Sequence, residues 1–403
     1  MSIPLDRLYH YLADFVNHDL LIYRWLPHGS RKLKDLSMLR GSDRDTTQPM
    51  MICHDQEPLD LTRYSKHDFE TAIRHYFQNH HFYKSVEKLT DDSVISYLAD
   101  LQFRGLTIPI NQFNHTLILH SEKNSIAVIA LSQQGYVPVY YWSHGIIAQD
   151  WFRYAKHDPV LEFTNENMQK DFLIYNRAWS GTREYRLFVA EQLISQQLIQ
   201  HCNMSFNAND AGHYSQHQFT NSEFQISNFN LHNFFPMNTH TADASADYCG
   251  SDYATAGIEI VLETLFDDSR WHLTEKTLRP IACGKPFILA ATAGSLQYLR
   301  NYGFETFSGL IDESYDTITD SRARLDAIIQ EMKRIASLAP NAKQVLYTKL
   351  HEIAQRNKHR FFNDLFDQVI EEYKTNMNQA MIVMHQNCTD QHSMVIKQLL
   401  QQN

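Results

Sequence analysis

The segment "WHLTEKTLRPIACGKPFIL", residues 271–289, sets Thr274, Glu275 and Lys276 before a helical stretch that closes at Gly284 and runs into an apolar strand. A helix start offers free N–H groups and a partial positive charge. In an open α/β sheet, ligands bind beyond the carboxyl ends of the strands, where such starts lie. Three places in the second half of the chain have this character. They are Arg177 and Arg183 in "IYNRAWSGTREYR", the Thr274-Glu275-Lys276 triplet, and Thr292, Gly294 and Ser295 in "AATAGS". Two arginines, one lysine and two helix starts make a diphosphate cradle, which leaves Glu275 to hydrogen-bond the paired hydroxyls of a ribose or sugar. Without a ligand, Thr274 reads as an ordinary N-cap, Gly284 as a helix C-cap and Gly294 as a turn. Arg183 and Arg186 then stand in a first helical turn, where a cation opposes the dipole and wants an anionic partner.

These groups need strands and helices to hold them. Apolar runs at 19–26, 50–53, "HTLILH" and "GYVPVYYW" each break into polar residues, and helical patterns such as "DFETAIRHYFQNH" and "DDSVISYLADLQF" lie between them. That alternation predicts a parallel α/β sheet. A second βαβ opening follows, with a strand at 172–175, a loop at 176–182, a helix at 184–200 and a strand at 202–206. Residues 207–250 are rich in Asn, Ser, His, Gln and Thr and read as a polar surface excursion. The strand "GIEIVLETLF", the helix "KTLRPIACG", the strand "PFILAA" and the helix "SLQYLRNYG" resume the pattern. From about 320 the chain is helical, with Leu350, Ile353, Phe361, Leu365 and Ile370 on one broad face.

A chain of 403 residues exceeds what one core usually supports, so two domains and a cleft are expected. No run of about 18 uncharged apolar residues predicts a membrane span, and the N-terminus, with Asp6 and Asp14, does not read as a signal peptide. A cytoplasmic chain with no membrane partner, monomeric or weakly dimeric, is the expectation. Five scattered cysteines form no CxxC pair and read as reduced thiols. The formal charge of −10 is unfavourable for general nucleic-acid affinity. The 22 histidines show no HExxH spacing, and Asp267-Asp268 lacks a metal-holding DxD, so no catalytic metal is expected.

"HLTEKTLRPIACGKPFIL" resembles the donor-binding segment of the α-1,3-fucosyltransferase class of GT-B glycosyltransferases, whose pattern is roughly hxTEKhxxAhxxGxhPhhh. With "AATAGSLQYLRNYGFETFSGLIDESYD" it is more similar still to phage-encoded proteins of glycosyltransferase type. The match covers about 50 residues strongly and the second domain loosely; Thr277-Leu278-Arg279-Pro280 departs from the pattern, and the acceptor side is unmatched. The resemblance implies an α/β fold of two Rossmann-like domains with a helical C-terminal section. An acceptor-side domain would span 1–165, a nucleotide-sugar domain 166–335 with an insertion at about 207–250, and terminal helices 336–403. It implies a UDP-, GDP- or dTDP-sugar donor held by Glu275, Lys276 and either Arg177 or Arg183, without a metal.

Direct transfer needs a base to take the acceptor proton, while cations stabilise the departing nucleoside diphosphate. Carboxylates or histidines at first-domain strand ends are the candidates: Asp55 and Glu57 in "CHDQEP", then His144 and Asp150 in "WSHGIIAQD", then His28. The phage likeness points to hydroxymethylated cytosine in double-stranded DNA as acceptor. The basic stretch 30–44, with Arg31, Lys32, Lys34, Arg40 and Arg44, is the segment that would meet phosphates. A glycan or protein acceptor is the alternative within enzymes, and a catalytically inactive GT-B-fold structural or interaction protein is the alternative outside them.

Overall fold

The computed structural model describes residues 8–14, 21–25, 33–35, 50–59, 116–133, 135–162, 167–227, 230–235 and 246–401. The expected helices within 60–115, His28 and most of the basic stretch 30–44 lie outside them. The chain divides into two compact units, one of residues 1–4 with 144–368, the other of residues 5–143 with 369–403. The boundaries therefore fall at 143/144 and 368/369, where the sequence placed them at 165 and 335. The reason lies in the helices. All but the first residue of the helix Ser143–Trp151 belongs with the second sheet, and the terminal helices are shared out between the two cores.

The unit of residues 5–143 and 369–403 holds helix α1 (Leu8–Asp14) and strands β1 (Leu21–Trp25), β2 (Leu33–Asp35), β3 (Met50–Cys53), β4 (Thr116–His120) and β5 (Val137–Tyr140). Their order is β2-β1-β3-β4-β5, parallel throughout except for β2, which runs antiparallel to β1. Met51, Ile52, Leu117, Ile118, Leu119 and Val139 are buried, as the short apolar runs require. Helix α2 (Ile126–Gln133) precedes β5.

In the other unit, strands β6 (Lys170–Asn176), β7 (Cys202–Phe206), β8 (Ala256–Leu262) and β9 (Phe287–Ala290) form a wholly parallel sheet in the order β7-β6-β8-β9. All seven residues of β8 are buried, the mark of a strand covered on both faces. The helices are α3 (Ser143–Trp151), α4 (Tyr185–Ser195), α5 (Gly250–Thr255), α6 (Glu275–Cys283), α7 (Ser295–Asn301), α8 (Ser321–Ala336) and α9 (Pro340–Asn363). Helix α4 is shorter than the 184–200 expected. The chain leaves it at Gln196, and Gln197 takes φ 58° before a short 3-10 turn leads into β7. The single helical face read from 350 to 370 is likewise two helices, α9 and α10 (Leu365–Gln401), divided at Asp364.

Two buried networks fix helices to this sheet. Glu259 on β8 meets Arg279 on α6 at 2.6 Å and accepts a hydrogen bond from Tyr253, while the Arg279 guanidinium lies 4.3 Å from the Tyr175 ring centre. Asp171 on β6 accepts from Lys343 and Tyr347 of α9 and bonds His201 at 2.7 Å. Close approach of α9 explains the glycine second in β8: a Cβ on Gly257 would stand 2.7 Å from the Tyr347 ring and 3.1 Å from the Asp171 carbonyl. Gly257→Ala is expected to cost about 1–3 kcal/mol by overpacking, read as a lower urea midpoint with an unchanged slope.

Candidate ligand site

Strand β6 is joined to β7 on one side by α4, whereas β8 and β9 lie on its other side. The connections therefore diverge between β6 and β8, and the crevice beyond their carboxyl ends is the place where an open α/β sheet binds ligands. The loop after β6 and the loop after β8 meet there. Thr182 Oγ1 donates to the Thr264 carbonyl at 3.0 Å, and Tyr185 Oη donates to the Glu263 carbonyl at 2.6 Å. Arg186 is 2% exposed and donates to the carbonyls of Ala178, Leu262 and Glu263. Its partner is thus a cluster of strand-end carbonyls, in place of the anion its helix position suggested.

Glu263, the first residue after β8, organises the crevice. Its fully buried carboxylate accepts from Thr274 N (2.9 Å), Thr274 Oγ1 (2.8 Å), Thr277 N (3.3 Å), Thr277 Oγ1 (2.6 Å) and Thr264 N (3.0 Å). Burial alone would raise its pKa. The Lys276 ammonium and the hydrogen bonds from Thr277 and Thr274 outweigh burial and hold the carboxyl below its ordinary value. Thr274 is the N-cap of α6, its hydroxyl 3.4 Å from Lys276 N, and Gly284 closes the helix in the left-handed region at φ 65°.

Glu275 and Lys276 then project from a fixed helix start. Lys276 Nζ lies 2.7 Å from Glu275 Oε1 and 3.2 Å from Thr274 Oγ1; Glu275 Oε2 lies 3.4 Å from His144 Nε2. Glu275 and His144 are buried, whereas the Lys276 side chain keeps 20% of its surface. Burial opposes ionisation of Glu275, yet Lys276 and His144 hold its carboxyl well below the usual range. For His144, burial dominates and pushes the imidazole down to about 4, against the upward pull of Glu275. His272 stands edge-on to His144, with ring centres 5.6 Å apart. At neutral pH the cluster is a carboxylate, an ammonium and a neutral imidazole.

The depressed His144 pKa sets a sign for acid stability. From about 6.5 down to about 4 the unfolded chain takes a proton that native His144 refuses, so stability falls with pH through that window and levels off below it. The loss amounts to something on the order of 3 kcal/mol. Urea unfolding between pH 7 and pH 4 should show it in the native protein, and His144→Asn should flatten that part of the profile.

The remaining candidates are distributed as follows. Arg177 is exposed in the loop after β6, and Arg183 is half-buried in the 3-10 turn Gly181–Arg183. The polar stretch that follows is anchored across this loop. Asp210 accepts from Trp179 N and Ser180 N, and Glu184 accepts from His217 Nε2, Thr220 N, Thr220 Oγ1 and Asn221 N. Its own Tyr214, Phe224 and Leu231 are buried. The stretch lies at the surface as read, most of its described residues being exposed or half-buried, and these bonds with a few buried side chains pin it in place.

The second helix start differs from expectation. Thr292 is buried with its N–H on the Leu265 carbonyl, Ser295 Oγ donates to the Thr292 carbonyl at 2.6 Å, and Leu296 N donates to the Asp316 carboxylate. Gly294 takes φ 83°, and its Cβ would stand 3.0 Å from the half-buried Trp271 indole. Both helix starts therefore carry a protein carboxylate, Glu263 on α6 and Asp316 on α7. The cradle of free N–H groups inferred from sequence is already engaged. Glu263, Asp316 and His272 were missed as site residues; a lone Glu ending the apolar run "GIEIVL" was the available signal.

Asp55 belongs to the other unit, at the end of β3. It is 2% exposed and accepts from Tyr9 Oη at 2.7 Å and from Tyr141 Oη, while Glu57 is half-buried beside it. In the same unit buried Glu122 accepts from Leu59 N and Ser125 Oγ. Asp150 lies one helical turn from Arg153, 3.4 Å away, on the outer part of α3. Of the five proposed bases, His144 and Asp150 share a unit with the Glu275-Lys276 pair, and His144 is the one beside it. Among the described residues no three His, Cys, Asp or Glu side chains gather as a metal-ligand group, and no helix is long and apolar enough to cross a membrane. Comparisons with protein-family models, with curated proteins and with solved structures find no match to this chain.

Proposed function

We propose that the chain is a nucleotide-sugar-dependent glycosyltransferase of GT-B arrangement, with the donor in the crevice beyond β6 and β8. The observation that carries this reading is the Glu275-Lys276 pair, pinned at the topological switch point by Glu263 and faced by a neutral imidazole. Lys276, with Arg177 or Arg183 from the facing loop, neutralises the charge that grows on the departing nucleoside diphosphate. Glu275 accepts from donor hydroxyls. His144, which faces Glu275 through Nε2, serves as the base, and the Glu275 carboxylate stabilises the imidazolium that forms. Asp55 already receives two tyrosine hydroxyls, and Asp150 faces Arg153, so both suit the role less well.

Thermal unfolding with a panel of UDP-, GDP- and dTDP-sugars tests the donor, because a ligand that binds only the native state raises its stability by RT ln(1 + [L]/Kd). A shift with one nucleotide series supports the reading, and silence across the panel removes it. Hydroxymethylated cytosine in duplex DNA is the first acceptor to try. Mass spectrometry of nucleosides from treated DNA reads the product directly, and binding by that acceptor should weaken steeply with salt. A glycan product, or donor binding without transfer, would select the alternatives.

A further inference from the structure

The stretch "GFETFSGLIDESYD", residues 303–316, leads from α7 towards α8, and only its last residue, Asp316, has a part in the crevice. The remainder walls a cavity of about 540 Å³. The cavity extends along α7 from Asp316, at the helix start, to Arg300 in the last turn, and takes in Arg334 from the last turn of α8. Such a volume lies within the range of about 300–1,000 Å³ usual for small-molecule sites.

Both arginines are oriented by buried glutamate side chains. Arg300 Nη2 meets Glu313 Oε2 at 2.8 Å, and its Nε and Nη2 both donate to Thr306 Oγ1. Arg334 lies fork to fork on Glu331, at 2.7 and 2.6 Å, and donates to the Leu310 carbonyl. The glutamates are held in turn by backbone N–H groups of the loop, Glu313 by Phe307 N (2.6 Å) and Glu331 by Asp312 N (3.0 Å). The arginine side chains stay 38% and 46% exposed, and the Nη1 group of each makes no bond to another described residue. Ser308 is exposed on the same wall, its hydroxyl likewise unbonded among the described residues. Asp312, also exposed, accepts from Ser314 N through Oδ1, and half-buried Leu310 adds an apolar surface.

The charges decide the kind of ligand. Arg300 with Glu313 and Arg334 with Glu331 form two neutral pairs, and Asp312 and Asp316 are the other ionisable groups on the lining. No positive excess is left for a phosphate-type anion. Two guanidinium groups on the lining oppose a metal ion, and among the described residues no metal-ligand group of three side chains forms. An apolar ligand would take water from these polar groups without replacing its hydrogen bonds. Fixed donors interleaved with fixed acceptors complement hydroxyl groups, each of which donates once and accepts twice.

We propose that this cavity binds a neutral saccharide, with Arg300 Nη1, Arg334 Nη1 and the Ser308 hydroxyl donating to sugar oxygens, Asp312 accepting from sugar hydroxyls and Leu310 meeting a carbon-bound face of the ring. Because both guanidinium forks are already held, little side-chain freedom is lost on binding. The site stands whether or not the crevice transfers sugar.

Saturation-transfer NMR of the full chain with glucose, galactose, mannose, maltose, lactose and cellobiose is the test. At least one of these sugars should give a saturable signal. Arg334→Gln should weaken its binding about tenfold, the effect of losing one charged hydrogen bond. Ser308→Trp, which fills the cavity from an exposed position, should abolish the signal, and Lys276→Ala should leave it unchanged. Arg334→Gln carries the test if Ser308→Trp fails to fold. Silence from all six sugars, or a signal that survives both cavity variants, would overturn the site. A signal lost with Lys276→Ala, or displaced by sodium phosphate, would place the sugar in the crevice or mark an anion site, and overturn it equally.

Discussion

Glu263→Ala should lower the thermal midpoint by about 10 °C. Five donors converge on this one buried carboxylate, two of them backbone N–H groups of the α6 N-terminus and one the N–H of Thr264. Alanine leaves all of them in a closed interior without an acceptor. Breaking a buried charged network in this way costs about 3–5 kcal/mol, and for a domain of this size each kcal/mol moves the midpoint by about 2–4 °C. Glu263→Gln should rescue little, because its amide nitrogen would face N–H donors. The pH dependence separates lost charge from lost packing. The native carboxyl titrates below its unfolded value, so its contribution is complete above the ordinary carboxylate range and disappears as pH falls through the lower native value. The alanine variant should therefore approach the native protein's stability in strong acid. A midpoint within 2 °C of native at pH 7, by an about-1-kcal/mol criterion, would mean that Glu263 does not hold the α6 start.

Under the proposed sugar transfer, Lys276→Ala should reduce kcat/KM by about 100-fold, close to 3 kcal/mol of transition-state stabilisation, the usual effect of removing one group aimed at developing negative charge. The ammonium is partly exposed yet fixed by Glu275 and Thr274, so it needs little rearrangement to meet a leaving phosphate. Lys276→Arg should recover part of the rate, since charge is kept but the point-like ammonium is exchanged for a fork. Steady-state kinetics, together with the nucleotide-induced thermal shift, distinguishes this from general damage. If Lys276→Ala folds, binds nucleotide as well as the native chain and turns over at the native rate, the donor site lies elsewhere.

Local signals were readable where local chemistry decides them. Met50–Cys53 and Cys202–Phe206 lie where the apolar runs placed them, and Thr274 and Gly284 cap α6 as N-cap and left-handed C-cap. Those outcomes depend on a few adjacent residues. What could not be read is the pairing of residues far apart in the chain. Nothing near His144 announces Glu275, more than a hundred residues on, as its neighbour. The same holds for Asp316 at the start of α7 and for Glu263 beneath α6, where a side chain takes the position that helix-start reasoning reserved for a ligand. Arg186 shows the converse: its charge was noticed, but its partners are carbonyls that exist only once β6 and β8 lie side by side.

The anchoring of residues 207–227 by Glu184 and Asp210 bears on how the chain may be cut. Polar loops are usually the first part trimmed from a protein, yet here the trimmed chain would uncover Tyr185, Phe188 and Phe206, on which Phe224 and Tyr214 pack, and leave the Glu184 carboxylate without the donors that fix it. A protease should spare this stretch although its composition resembles a linker, and a foreign insertion placed in it should spoil the loop that carries Arg177 and Arg183.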